Sequence, residues 1–165
     1  MDSFPQSGAL NAPASGRKGK ALKVTLTMAE RRCAARQEEL KAPSRRVLEK
    51  LLSAGAPQKA YQMMSHFTPD GRPTSPTVVY RALSFLLRMG LIHRIETVNA
   101  YVVCRLGAPP HRAGFLVCDA CGAAEEHELD RLPPFIEAQA KTVTQVVVEA
   151  HWRCAACEPV GAAPP

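Results

Sequence analysis

Four of the six cysteines form two Cys-x-x-Cys pairs, Cys118/Cys121 and Cys154/Cys157, with residues 122–153 between them. Two thiols three positions apart can close on one ion, and two such pairs supply the four thiolates of a closed, tetrahedral, structural zinc site. The residues between the thiols are short, Asp119-Ala120 and Ala155-Ala156, and Gly122 follows where a tight knuckle must turn. A redox dithiol is the competing reading. That chemistry uses a single pair opening a helix after a strand, so the duplicated spacing suits it poorly.

A second group of metal-competent side chains, His93, Cys104, His111 and Glu126, is dispersed through the middle of the chain. Two imidazoles, one thiolate and one carboxylate can fill a zinc shell. A shell filled by four protein ligands leaves no position for substrate or an activated water, which argues against catalysis. Spacing alone does not single these four out. His93 reads equally as a surface residue, Cys104 as a small buried one, and Glu126 as one charge among Glu125, Glu126 and Glu128. His127 and His151 are spare imidazoles, read as satisfied surface or core histidines, with membership of a further metal site as the alternative.

The chain that must position these groups has 165 residues, enough for one ordinary core or two small ones. No apolar run approaches the roughly 18 residues of a membrane span, and residues 1–20 lack the apolar stretch of a secretory signal. A cytoplasmic protein with cysteines as metal ligands rather than disulfides is therefore expected. The net charge of +6 is unevenly placed. Residues 1–96 carry 16 Lys and Arg against 7 Asp and Glu, whereas residues 97–165 carry 5 against 8. A basic first part beside an acidic, cysteine-bearing second part points to a polyanion as partner of the first.

Local signals predict the elements. Residues 1–23 read as a flexible tail. Thr27-Met-Ala-Glu30 reads as a capping box for a helix from Met28 to about Lys41, stopped by Pro43. Ser44 caps a second helix with Val47, Leu48, Leu51 and Leu52 inward, ended by Gly55. Pro57 opens a third, with Tyr61, Met64 and Phe67 inward, and residues 68–74 form a loop. A fourth is capped by Ser75 and Pro76, buries Val79, Leu83, Leu86 and Leu87, and stops at Gly90. Leu91 to Glu96 and Tyr101 to Arg105 then pair as a hairpin, completing a winged helix over residues 24–106. On its fourth helix, Thr77, Tyr80 and Arg81 can reach a major groove, with Tyr61 and Arg88 completing the candidate DNA-contacting set. Residues 107–113 read as a hinge. Residues 114–158 read as a small α/β dimerisation domain with strands at Gly114–Cys118, Ala123–Leu129 and Gln145–His151, and a helix at Pro133–Lys141; residues 159–165 form a second tail. Phe135, Ile136 and the Val146-Val147-Val148 run would be covered by a second copy.

The run Ser75-Pro-Thr-Val-Val-Tyr-Arg-Ala-Leu-Ser-Phe-Leu-Leu-Arg-Met-Gly90, followed by Leu91-Ile-His-Arg-Ile-Glu96 and Asn99-Ala-Tyr-Val-Val-Cys104, resembles the ferric uptake regulator family, and within it the zinc uptake regulator branch. Val117-Cys-Asp-Ala-Cys-Gly122 and Val148-Glu-Ala-His-Trp-Arg-Cys-Ala-Ala-Cys157 carry the same resemblance, which spans about residues 29–158. It implies a homodimeric repressor of zinc uptake genes. Cys118, Cys121, Cys154 and Cys157 would be structural zinc ligands, and His93, Cys104, His111 and Glu126 regulatory ones, two ions per chain. The partner would be a double-stranded DNA operator carrying an inverted repeat, with neither membrane nor small-molecule substrate involved.

Two departures from the family pattern stand out. Val78-Val79 precedes Tyr80-Arg81 where the family usually has Thr-Val, so a methyl group replaces a hydroxyl. His111 is followed by Arg112-Ala-Gly rather than a His-rich run, and Cys104 offers a soft thiolate; both disfavour iron or manganese. The alternatives are an iron- or peroxide-responsive regulator of the same family, a redox-switched zinc chaperone, and a zinc hydrolase built on the mixed-ligand site.

Overall fold

The computed structural model describes residues 18–64, 75–106, 112–129, 131, 134–137, 146 and 148–157. Four helices come first: α1 (Lys18–Ala34), α2 (Ala42–Ala54), α3 (Ala60–Met64) and α4 (Pro76–Arg88). The hairpin β1 (Ile92–Ile95) and β2 (Ala100–Val103) follows, then β3 (Ala113–Cys118), β4 (Ala124–Glu128), the short α5 (Pro134–Glu137) and β5 (Val148–Trp152). The fold is α+β.

Helix α1 starts upstream of the expected capping box and takes in residues that the tail reading covered. Leu26, Ala29 and Cys33 share its buried face, so the apolar stripe is under way before Thr27. It also ends at Ala34 rather than near Lys41. Gln37, at φ 56°, takes the left-handed position. The Glu38 N–H reaches the Cys33 carbonyl and the Gln37 N–H that of Ala34, the paired bonds of a Schellman stop without its usual glycine. Pro43 and Ser44 lie inside α2, not before it: proline suits the first turn, where its missing N–H costs nothing, and Lys41 takes the cap position.

In α3 Ala60 and Met63 are buried and Met64 packs against the same core as expected, whereas Tyr61 is 64% exposed rather than inward. Phe67 lies outside the described residues. Helix α4 buries Val79, Ala82, Leu83 and Leu86, while Leu87 stays 36% exposed. These faces close with α1, α2, β1 and Tyr101 into the main core. Gln58, just ahead of α3, exchanges two backbone hydrogen bonds with Tyr101, adding a one-residue rung to the free side of β2. Such a rung leaves no periodic trace in a sequence.

The second sheet has the order β4-β3-β5, antiparallel between β3 and β4 and parallel between β3 and β5. β5 runs from Val148 to Trp152, later than expected, and helix residues beyond Glu137 lie outside the described set. A small second core joins the hairpin to this sheet: Ile95 is fully enclosed beside Phe115 and Val117, with Val98 and Val102 packed against them.

Candidate metal centres and nucleic-acid face

The sheet brings the ends of β3 and β5 together, because Cys118 pairs in register with Trp152. Each Cys-x-x-Cys pair then turns in a knuckle, marked by the Gly122 N–H on the Cys118 carbonyl and the Cys157 N–H on that of Cys154. Gly122 adopts φ 70°, a left-handed turn that other residues resist. The four sulfurs lie within 4.8 Å of one another. The Cys121 and Cys154 Sγ atoms are 3.7 Å apart, against the about 3.8 Å that a tetrahedron with Zn–S bonds of ~2.3 Å requires. The donor set and its spacing fit zinc.

Electrostatics point the same way. Backbone N–H groups of Cys154 and Cys121 aim at the Cys118 sulfur and lower its thiol to about 6. Cys157 is pushed up to about 12, first by its contacts with the Cys154 and Cys121 sulfurs and then by burial. One thiolate forms readily, yet four cannot coexist without a cation. Beside the cluster, His151 Nδ1 lies 2.7 Å from Asp119 Oδ1, giving that imidazole a carboxylate partner on the knuckle. His127 faces Glu125 at 3.7 Å on an exposed edge.

Of the dispersed set, His93, Cys104 and Glu126 converge, with ligating atoms within 4.8 Å of one another. His93 lies on β1, Cys104 follows β2 and Glu126 lies on β4, so hairpin and sheet both contribute. His111 lies outside the described residues. The Glu126 side chain is only 5% exposed. One of its oxygens lies 2.9 Å from His93 Nε2, and the other accepts the Arg105 N–H at 2.7 Å. Burial works to lower the His93 pKa, but hydrogen bonds to Cys104 and Glu126 outweigh it and raise the imidazole to about 9. Phe115 flanks the ring at 5.5 Å between centroids. A half-buried thiol and imidazole in contact with an almost enclosed carboxylate form a ready donor set for zinc.

On the outer face of α4, Thr77, Tyr80, Arg81, Ser84 and Arg88 line one open groove with Pro76 and Phe85. Tyr80 is 51% exposed. Arg88 crosses the Phe85 ring and pairs with Glu38 at 2.6 Å. The Arg32 and Arg36 guanidinium groups donate to the carbonyls of Gly90 and Arg88 at 2.7 and 3.0 Å, closing the C-terminal end of α4. In the sequence these two arginines are indistinguishable from the general positive charge of the first half of the chain.

No protein-family model matches the chain. It is 33% identical over 142 residues to the zinc uptake regulation protein of Escherichia coli (strain K12), covering 83% of each, and equally similar to that of Shigella flexneri. Among solved structures, it resembles a zinc uptake regulator complexed with zinc and DNA at 32% identity and a TM-score of 0.74, over 82% of this chain and 94% of that one. Holo XcZur is 34% identical, with a TM-score of 0.69 over 82% and 97%.

Proposed function

The chain belongs to the zinc uptake regulator branch of the ferric uptake regulator family, and on that footing we propose that it is a zinc-responsive DNA-binding repressor, acting in the cytoplasm as a homodimer on an operator of zinc uptake genes. The observation that carries the reading is the meeting of His93, Cys104 and Glu126, drawn from the hairpin and from the second sheet, within ligand distance of one another. His111 completes this shell, and the four cysteines hold a second, structural ion. Bound zinc would supply a Lewis-acidic charge that competes with protons for these thiol, imidazole and carboxylate donors.

The residues themselves do the rest. In this reading α3 and α4 form a helix-turn-helix and the β1–β2 hairpin its wing, so that residues 24–106 are a winged helix. Thr77, Tyr80 and Arg81 approach base edges or phosphates from the start of α4, with Tyr61 and Arg88 beside them. Residues 107–113 act as the hinge, and fastening the wing to β4 through His93, Cys104 and Glu126 stops the winged helix from pivoting. Phe135, 73% exposed on α5, offers residues 114–158 an apolar contact with a second copy. Two recognition helices in a symmetric dimer then meet major grooves roughly 34 Å apart on an inverted repeat.

The test is binding of the purified protein to a duplex selected by it from random DNA, after zinc is limited to the four-cysteine site and zinc, iron or manganese is returned. Zinc is expected to restore binding, and Cys104→Ser to abolish the response while the dimer stays folded. Equal binding in the presence of a chelator strong enough to clear the second site would overturn the proposal.

A further inference from the structure

Glu149, on β5, is used by neither metal centre, yet it reaches across 52 residues of sequence to the tip of the hairpin. One of its carboxylate oxygens accepts the Glu96 N–H at 2.7 Å; the other accepts the Thr97 N–H at 3.1 Å and the Thr97 hydroxyl. Burial works to raise its pKa, but these three donors, with His151 nearby, hold the carboxyl below its ordinary value. Two consecutive backbone N–H groups aimed at one carboxylate make a small anion nest.

Its position in the sheet gives this contact its meaning. Phe115 is in register with Glu126 on one side and with Glu149 on the other. A carboxylate, an aromatic ring and a second carboxylate therefore form a row roughly 10 Å wide, two strand spacings. Glu126 grips the base of the hairpin through His93 and the Arg105 N–H. Phe115 packs with Ile95, the last paired residue before the tip. Glu149 grips its tip, roughly 10 Å from His93 along β1. Each of the two grips favours the same docked orientation of the hairpin.

We propose that Glu149 is a metal-independent latch on the hairpin tip, a positioning residue that lowers the zinc concentration at which DNA is bound. The inference rests on the zinc-responsive reading above, because latch and ligand set favour the same docked hairpin and so are thermodynamically coupled.

The experiment uses the full chain with its four-cysteine site filled. Zinc titration of DNA binding is read beside amide hydrogen exchange at Glu96 and Thr97. In Glu149→Ala both amides are expected to exchange faster with and without added zinc, and the zinc midpoint to rise about fivefold, the scale of losing a charge-assisted hydrogen bond at a partly exposed site. Affinity at saturating zinc should stay within about twofold, since the ligand set then holds the hairpin alone. Glu149→Gln, which keeps one acceptor oxygen, should fall between. An unchanged midpoint or unchanged exchange in a folded Glu149→Ala protein overturns the latch. Should that variant fail to fold, Thr97→Val removes the hydroxyl donor alone and should raise the midpoint about twofold; no shift there counts equally against it. If the unaltered chain binds DNA regardless of zinc, the zinc-responsive reading falls, and the exchange rates alone decide whether the latch exists.

Discussion

His93 sits between a thiol and a carboxylate, so its proton is held to about pH 9 against an ordinary 6.5. The sign follows from linkage. A raised folded-state value means that the proton's contribution to stability is fully present below about pH 6.5 and is lost as pH rises through about 9. In protein whose second site is metal-free, the His93 ring proton resonances should titrate near pH 9, and Cys104→Ser should bring the midpoint down by removing one of the groups that raise it. A wild-type midpoint near 6.5 would show that the three side chains do not meet in solution. Between those pH values zinc must displace this proton, so affinity at the site should strengthen with rising pH. The cysteine pairs were legible in the sequence because both ligands of each pair lie within one turn of chain. The convergence of His93, Cys104 and Glu126 was legible only through family resemblance, since the hairpin and β4 that unite them are separate elements. Glu149 left no signal at all: one carboxylate on a short strand looks like any solvated edge.

At the scale of elements, helix ends divide the predictable from the unpredictable. Gly55 closes α2 at φ 63° with its N–H on the Leu51 carbonyl, and a Cβ there would meet nothing within 4 Å. Gly55→Ala should therefore cost about 1 kcal/mol from backbone conformation alone, and Gly55→Asn less, read as a shift in urea midpoint at unchanged slope. Equal stability of all three would mean that α2 ends otherwise in solution. That glycine was readable in advance; the Schellman stop at Gln37 was not, because the residue in its left-handed position is one that rarely signals a turn. The false capping box at Thr27 has a similar origin: its spacing is right, but the buried face through Leu26 carries the helix past it. Arg32 and Arg36 on the end of α4 tie α1 and the turn after it to the candidate reading helix, a long-range cap that local pattern cannot disclose.

For the whole molecule, the four-cysteine cluster joins the ends of the only parallel strand pair among the described residues. β3 and β5 are separated by 29 residues of chain, with no tight turn to hold them together. Cys154→Ser should therefore do more than lower zinc content. It is expected to cost on the order of 5 kcal/mol or more, to lower thermal stability, and to weaken self-association. A variant that binds one zinc fewer yet melts like the parent would remove the cluster from the folding account. The same strand β3 is also the ruler against which the two gripping carboxylates are measured, because a single residue, Phe115, sets the level of both. A slip of β3 by one position would turn Phe115 to the far face of the sheet and take the ring from between the two carboxylates. Mispairing at this strand would thus cost the hairpin its apolar seat, because Phe115 and Val117, which enclose Ile95, would both face away from it.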